Sequence, residues 1–212
     1  MERGDFVTIN YIARVRDTMK VFDTNIEEVA RKEGIHTQNA IYGPVTIVLG
    51  AGHVISGLEK ALLDMDVGEE KEVDIKPSEA FGKRNRSLIT KIPLREFKKR
   101  GVFPRPGMRM EINDRWATVR QVTSGRVILD FNHPLSGRVL HYSVQLLGKV
   151  EDTKEQIEAL LTVKGVRGDV TLKEEEFSIS LNVEEEKKKR VQRLVERDIK
   201  KYVPQAKISF LS

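Results

Sequence analysis

His36, His53, His133 and His141 are the four histidines of this chain, and their separations match no metal-ligand pattern. There is no cysteine, which excludes disulfides, thiolate nucleophiles and thiolate metal ligands. Gly50-Ala51-Gly52 opens like a dinucleotide fingerprint, but the third glycine would fall at 55, where the residue is Ile. No serine lies in a nucleophile elbow. Lys98-Lys99-Arg100 reads as a solvated helix face, and Asp23, taken alone, as a turn acid. These residues call for no metal and no cofactor.

The elements that would position any site can be read from periodicity. Val7, Ile9, Tyr11, Ala13 and Val15 alternate with polar residues, the period of a half-buried strand, with Ile12 interrupting the polar face. Residues 26–34 read as a short helix ended by Gly34. Val45, Ile47 and Leu49 make a second strand. Ser56 with Glu59 has capping-box spacing, and Leu58, Ala61, Leu62 and Met65 then recur at helical period. Residues 71–76 and 139–147 complete this part as strands.

A different texture follows over residues 85–128, with Pro93, Pro104 and Pro106, a helical piece at Leu94–Lys99 and strand-like runs at 108–112 and 115–122. The last stretch predicts a helix (154–162), strands at 168–173 and 176–183, a long helix (184–202) and a strand (206–211). In that long helix Glu184–Lys188, Glu185–Lys189 and Glu186–Arg190 are i,i+4 pairs of favourable order.

The net charge of +5 is unevenly placed. Residues 85–128 hold eleven basic side chains against Glu96, Glu111 and Asp114, a net +8, while 151–212 balance thirteen of each sign. Such asymmetry bears on partners rather than on fold. No apolar run reaches the ~18–20 residues of a membrane span, and the N-terminus lacks the apolar core of a signal peptide. A cytoplasmic protein without membrane contact is expected.

One constellation is more specific than its parts. Tyr11 is followed by Val21-Phe22-Asp23-Thr24, Leu49-Gly50, Val54-Ile55-Ser56-Gly57-Leu58-Glu59, Gly68-Glu69, Ala80-Phe81-Gly82 and Leu140-His141-Tyr142-Ser143-Val144. In order and spacing this resembles the FKBP-type peptidyl-prolyl isomerases. The long segment between Gly82 and Asn132-His133-Pro134-Leu135-Ser136-Gly137 is similar to the SlyD-like branch with an insert-in-flap domain. The 26–34 helix and the C-terminal extension resemble the long archaeal form.

The resemblance implies an α+β fold, with a bent antiparallel sheet around the 57–66 helix. Residues 1–84 and 129–150 would form the isomerase domain, 85–128 an α/β insert, and 151–212 a C-terminal α+β domain. It implies a catalytic pocket of Tyr11, Phe22, Asp23, Val54, Ile55, Leu58, Phe81, Leu140 and Tyr142, with Val45 and Ile47 beside it. Leu58 would floor the proline ring, Tyr11, Phe22 and Tyr142 would wall it, and the Ile55 amide would hold a substrate carbonyl. Leu58 replaces the tryptophan floor of the small drug-binding members, and Phe81 replaces their flap tyrosine.

In SlyD-like proteins the insert binds partly unfolded chains. Here Leu88, Ile89, Ile92, Leu94, Phe97, Val102, Phe103, Met108, Met110 and Ile112 would supply that surface, about half of them as the insert's own core. The substrates implied are proline-containing unfolded or nascent polypeptides. Two other functions remain open: a non-catalytic chaperone or binding module, and a ribosome or nucleic-acid contact through the basic insert. Residues 151–212, with an apolar final strand, are a candidate homodimer surface.

Overall fold

The alternation read in the first strand is realised with Phe6, Val7, Ile9 and Ala13 buried. The structure is a computed structural model and describes residues 1–38 and 40–211. In chain order its elements are β1 (Phe6–Val15), β2 (Lys20–Thr24), α1 (Glu27–Lys32), β3 (Val45–Val48), α2 (Ser56–Leu63), β4 (Glu70–Ile75), β5 (Ile89–Pro93), α3 (Leu94–Lys99), β6 (Arg109–Ile112), β7 (Arg115–Val122), β8 (Arg126–Asp130), β9 (Leu140–Val150), α4 (Thr153–Val163), β10 (Gly168–Lys173), β11 (Glu176–Leu181), α5 (Glu185–Tyr202) and β12 (Ile208–Phe210). The chain divides into two units, Met1–Lys76 with Val139–Ser212, and Pro77–Arg138.

In the first unit β1 is the central strand. It pairs antiparallel with β9 along its whole length, from Phe6↔Val150 to Val15↔Leu140. Its C-terminal half pairs with β2 and its N-terminal half with β3, and β4 pairs with the far edge of β9. Register shifts at Thr8/Ile9 and at Ala13/Arg14 add the local bend that bulges produce. From α2, Gly57, Leu58, Ala61 and Leu62 are buried.

The helix α2 begins at Ser56, so Ile55 is its cap residue, and Ser56 and Glu59, read with capping-box spacing, both lie inside the helix. Glu59 accepts a 2.7 Å hydrogen bond from the Gly50 amide. It braces the turn in which Gly50 and Gly52 take φ of 84° and 72°, a region glycine enters without Cβ strain.

Residues from α4 onward belong to the same unit. β10 and β11 form an antiparallel hairpin, and β12 returns parallel to β11 after α5. Ile157, Leu160 and Leu161 of α4 pack with Val170, Ile179, Val195 and Ile199, and Phe6 of β1 and Val48 of β3 join the same core. Asp152 caps α4 by accepting from the Glu155 amide at 2.9 Å. A 2.5 Å ion pair ties Lys164, after α4, to Asp198 of α5. The first-turn ion pairs of α5 are Lys187–Glu184 and Lys188–Glu185, spaced i,i+3 rather than i,i+4. Glu184 is the cap residue, so its side chain meets the first turn from outside the helix.

The second unit is an antiparallel sheet of order β5-β8-β7-β6 with α3 packed on it. Its core is Phe97, Ala117, Val119, Val127 and Leu129. Its two chain ends are cross-tied: the Gly137 amide donates to the Gly82 carbonyl at 2.9 Å, and the Ser136 hydroxyl to the Phe81 carbonyl at 2.9 Å. Asn132 accepts from the Asn85 amide at 2.8 Å and donates back to its carbonyl at 2.9 Å. β2, β5 and β8 carry no alternation that announces them; β5, for example, shows only two partly covered residues out of five.

Candidate active site

Pairing of β1 with both β2 and β9 brings three aromatic side chains to one end of the first unit's core. Tyr11 and Tyr142 stand with ring centroids 6.2 Å apart, tilted by 34°. Phe22 meets Tyr142 edge-on, again at 6.2 Å and at 80°, a geometry that suits the ring quadrupoles. Asp23 is exposed, and its carboxylate accepts a 3.1 Å hydrogen bond from the Tyr11 hydroxyl.

The electrostatics follow from this packing. Burial pushes the Tyr11 phenol above the ordinary tyrosine range, and the charge and hydrogen bond of Asp23 push it further. Burial, then the Asp23 charge, acts the same way on Tyr142. Both phenols therefore stay neutral donors at any working pH.

Around this cluster the other expected pocket residues divide. Leu58 is 2% exposed, one turn into the helix, and its amide bonds to the Ile55 carbonyl at 3.0 Å. Ile47 and Leu140 are buried, and Val45, Val54 and Ile55 are half-buried. Val45 lines a cleft of about 240 Å³ together with Tyr11, Phe22, Asp23, Ala30, Ile35 and Tyr42. Phe81 lies in the second unit, where its ring stacks on His133 at 4.1 Å and 8°.

The apolar residues of the insert also divide. Phe97 is buried, and Ile92, Leu94, Val102, Met110 and Ile112 are packed on its core. Leu88 and Ile89 are half-buried, whereas Phe103 is 73% and Met108 41% exposed. Ile92, Phe97, Val102, Met110 and Ile112 also line a cleft of about 330 Å³ rimmed by Glu96, Arg100 and Glu111.

Sequence reasoning missed three features. Trp116 is 58% exposed, with the Arg109 guanidinium 5.4 Å from its ring centroid. Tyr42 stacks on His36 at 5.0 Å beside the cleft. Asn25 is buried directly behind Asp23. A lone tryptophan in a basic segment was a usable signal for the first. The other two come from loops whose placement no periodicity announces.

Comparison with known proteins shows the family. Residues 1–95 match the FKBP-type peptidyl-prolyl cis-trans isomerase family, and residues 91–135 match the family described as FKBP26, IF domain. The short-type peptidyl-prolyl cis-trans isomerase of Methanocaldococcus jannaschii is 38% identical over 146 residues, which is 69% of this chain and 92% of that protein. The SlyD isomerase of Helicobacter pylori is 31% identical over 154 residues, 70% of this chain and 75% of that protein. The FKBP-type 16 kDa isomerase of Escherichia coli K12 is 29% identical over 149 residues, covering 68% and 94%. The chain belongs to the FKBP-type peptidyl-prolyl cis-trans isomerases. Its second unit is similar over most of its length to the IF domain of that family. Among the described residues, no helix is long and apolar enough to cross a membrane.

Proposed function

We propose that Tyr11, Phe22, Asp23 and Tyr142, over the floor of Leu58, form the pocket in which this chain isomerises X–Pro bonds. The observation that carries this is the Tyr11–Phe22–Tyr142 ring cluster with Asp23 on its rim. Rotation about the prolyl amide crosses a barrier of roughly 18–20 kcal/mol and takes about 10–100 s unaided. The transition state is a twisted amide that has lost resonance. An apolar pocket holds that less polar form in place of water, and each tenfold acceleration needs about 1.4 kcal/mol of selective stabilisation. Val54, Ile55 and Leu140 complete the walls, and the Ile55 amide receives a substrate carbonyl. The test is turnover of a proline tetrapeptide, and an inactive, folded chain would refute the reading.

The insert is proposed to hold unfolded clients and so raise the concentration of their prolines at the pocket. Its apolar cleft and the exposed Phe103 and Met108 support this, because methionine adapts to varied partners. Proline-limited refolding of a protein substrate reads it out.

A ribosome or nucleic-acid contact is the second reading of the insert, favoured by the Arg109–Trp116 stack on a basic surface. Binding to single-stranded RNA that weakens steeply with salt would support it. For 151–212 we propose a homodimer, supported by β12, an outer strand whose Ile208 and Phe210 are only half-buried. Sedimentation as a monomer at tens of micromolar would refute it.

A further inference from the structure

We propose that Thr24 and Asn25 are positioning residues of the isomerase pocket, which together with Asp23 grip Tyr11 by all three of its polar atoms. The inference rests on the pocket reading above and adds to it the residues that aim its tyrosine.

Three consecutive side chains hold one residue. Asp23 accepts from the Tyr11 hydroxyl at 3.1 Å. The Thr24 hydroxyl donates to the Tyr11 carbonyl at 2.7 Å. Asn25 Oδ1 accepts from the Tyr11 amide at 2.8 Å. Thr24 and Asn25 are 6% and 5% exposed, so these bonds are shielded from water. The reason lies in the ladder. β2 runs beside β1 only as far as Ile12↔Thr24, and beyond it the chain leaves for α1. Side chains then replace the backbone partners that Tyr11 would otherwise have on that edge.

Asn25 is suited to the task in a way its isosteres are not. Its Nδ2 donates to the carbonyls of Ile9 and Gly43, both at 2.9 Å, and its own carbonyl accepts from the Gly43 amide at 2.8 Å. The side-chain amide thus offers an acceptor to the Tyr11 amide and donors to the two carbonyls, with Asn10 Oδ1 a third, longer contact of Nδ2 at 3.3 Å. An aspartate there would set a carboxylate oxygen against two carbonyl oxygens. Through Gly43 the same side chain also anchors the loop leading to Val45, on the other wall of the cleft. Displacing a reacting or orienting group by about 1 Å can cost a hundredfold in rate, so a clamp on the Tyr11 backbone acts on turnover without touching substrate.

The test uses the full chain carrying Thr24→Val, Thr24→Ser, Asn25→Asp or Tyr11→Phe, with Leu160→Ala as a control destabilised in a distant core. Tetrapeptide kcat and KM are measured well below each variant's Tm, and the Tyr11 phenol is titrated by ultraviolet difference against Tyr11→Phe. Folded Thr24→Val and Asn25→Asp should lose about tenfold or more in kcat/KM, carried by kcat. In Thr24→Val the Tyr11 phenol should titrate closer to the ordinary value of about 10, whereas the added carboxylate of Asn25→Asp opposes any such fall. Thr24→Ser should keep both properties, and Leu160→Ala should lose stability but not turnover. Full turnover in folded Thr24→Val and Asn25→Asp overturns the proposal, as does a loss equal to the fraction unfolded, or failure of both to fold. If the unaltered chain has no turnover, the pocket reading fails instead.

Discussion

The Tyr11 hydroxyl lies 3.1 Å from the Asp23 carboxylate, although the two residues are twelve positions apart on different strands. The contact gives Asp23 a neutral donor, and it adds to burial, the larger cause, in raising the phenol above its ordinary range. Asp23→Ala, at an exposed position, should therefore lower tetrapeptide turnover while leaving the fold largely intact, and Tyr142→Ala should lower turnover and also stability, because Tyr142 is buried. In Asp23→Ala the Tyr11 phenol should titrate lower than in the parent, because a neighbouring negative charge has gone. Full turnover in either folded variant would show that the pocket is elsewhere.

Leu58 should matter for stability as well as rate. It is 2% exposed in the helix that fills the sheet, and Leu58→Ala opens a cavity there. Large-to-small core changes of this kind cost about 2–5 kcal/mol. A chemical-denaturation midpoint that does not move would show that the floor collapses around the loss.

His53 predicts a pH dependence of stability. Its Nδ1 accepts from the Val48 amide at 3.1 Å, so protonation there would break the bond. Burial lowers its pKa, the Lys164 charge adds to this, and Asp198 and Glu59 oppose it. The folded state thus binds the proton less readily than the unfolded chain, in which histidine titrates near its ordinary value of about 6.5. The stabilisation is complete above that value and is lost as pH falls through the depressed folded pKa. Urea midpoints should fall between pH 7.5 and 5.5, and less so in His53→Asn, whose side-chain oxygen can accept the same amide without charging. An equal slope in both proteins would assign the effect to other groups.

The insert should be separable. Gly82 and Gly137 are hydrogen-bonded through their backbones, and Asn85 to Asn132, so the two ends of the insert are already neighbours. A short turn can replace residues 85–128 at little loop-closure cost, leaving Phe81 in place. The excised protein should turn over tetrapeptides within about tenfold of the parent, a barrier change of ~1.4 kcal/mol, while losing most of its effect on proline-limited refolding. Equal loss in both assays would mean that the insert shapes the active site itself. No loss in either would remove it as a client surface.

Local chemistry already determined much of this in the chain. Alternation in Val7–Val15 marked β1, helical recurrence from Leu58 marked α2, and the Phe22-Asp23 and Leu140-His141-Tyr142 motifs carried the family and the proposal of the pocket. These signals are legible because each depends on neighbours a few residues away. Tertiary structure decided what depends on distant partners. Glu59 has capping-box spacing, yet its carboxylate accepts from the Gly50 amide across the turn before α2. β2, β5 and β8 are strands because of the strands beside them, since segments of only five residues carry too little period of their own. Phe6 and Val48 help to build the core of the C-terminal helices, a burial no local pattern encodes. Asn25 carries no signal of its own in the sequence. It acquires its role only where β1, β2 and the Gly43 loop converge, because three unpaired backbone groups meet there and one amide side chain can satisfy all of them.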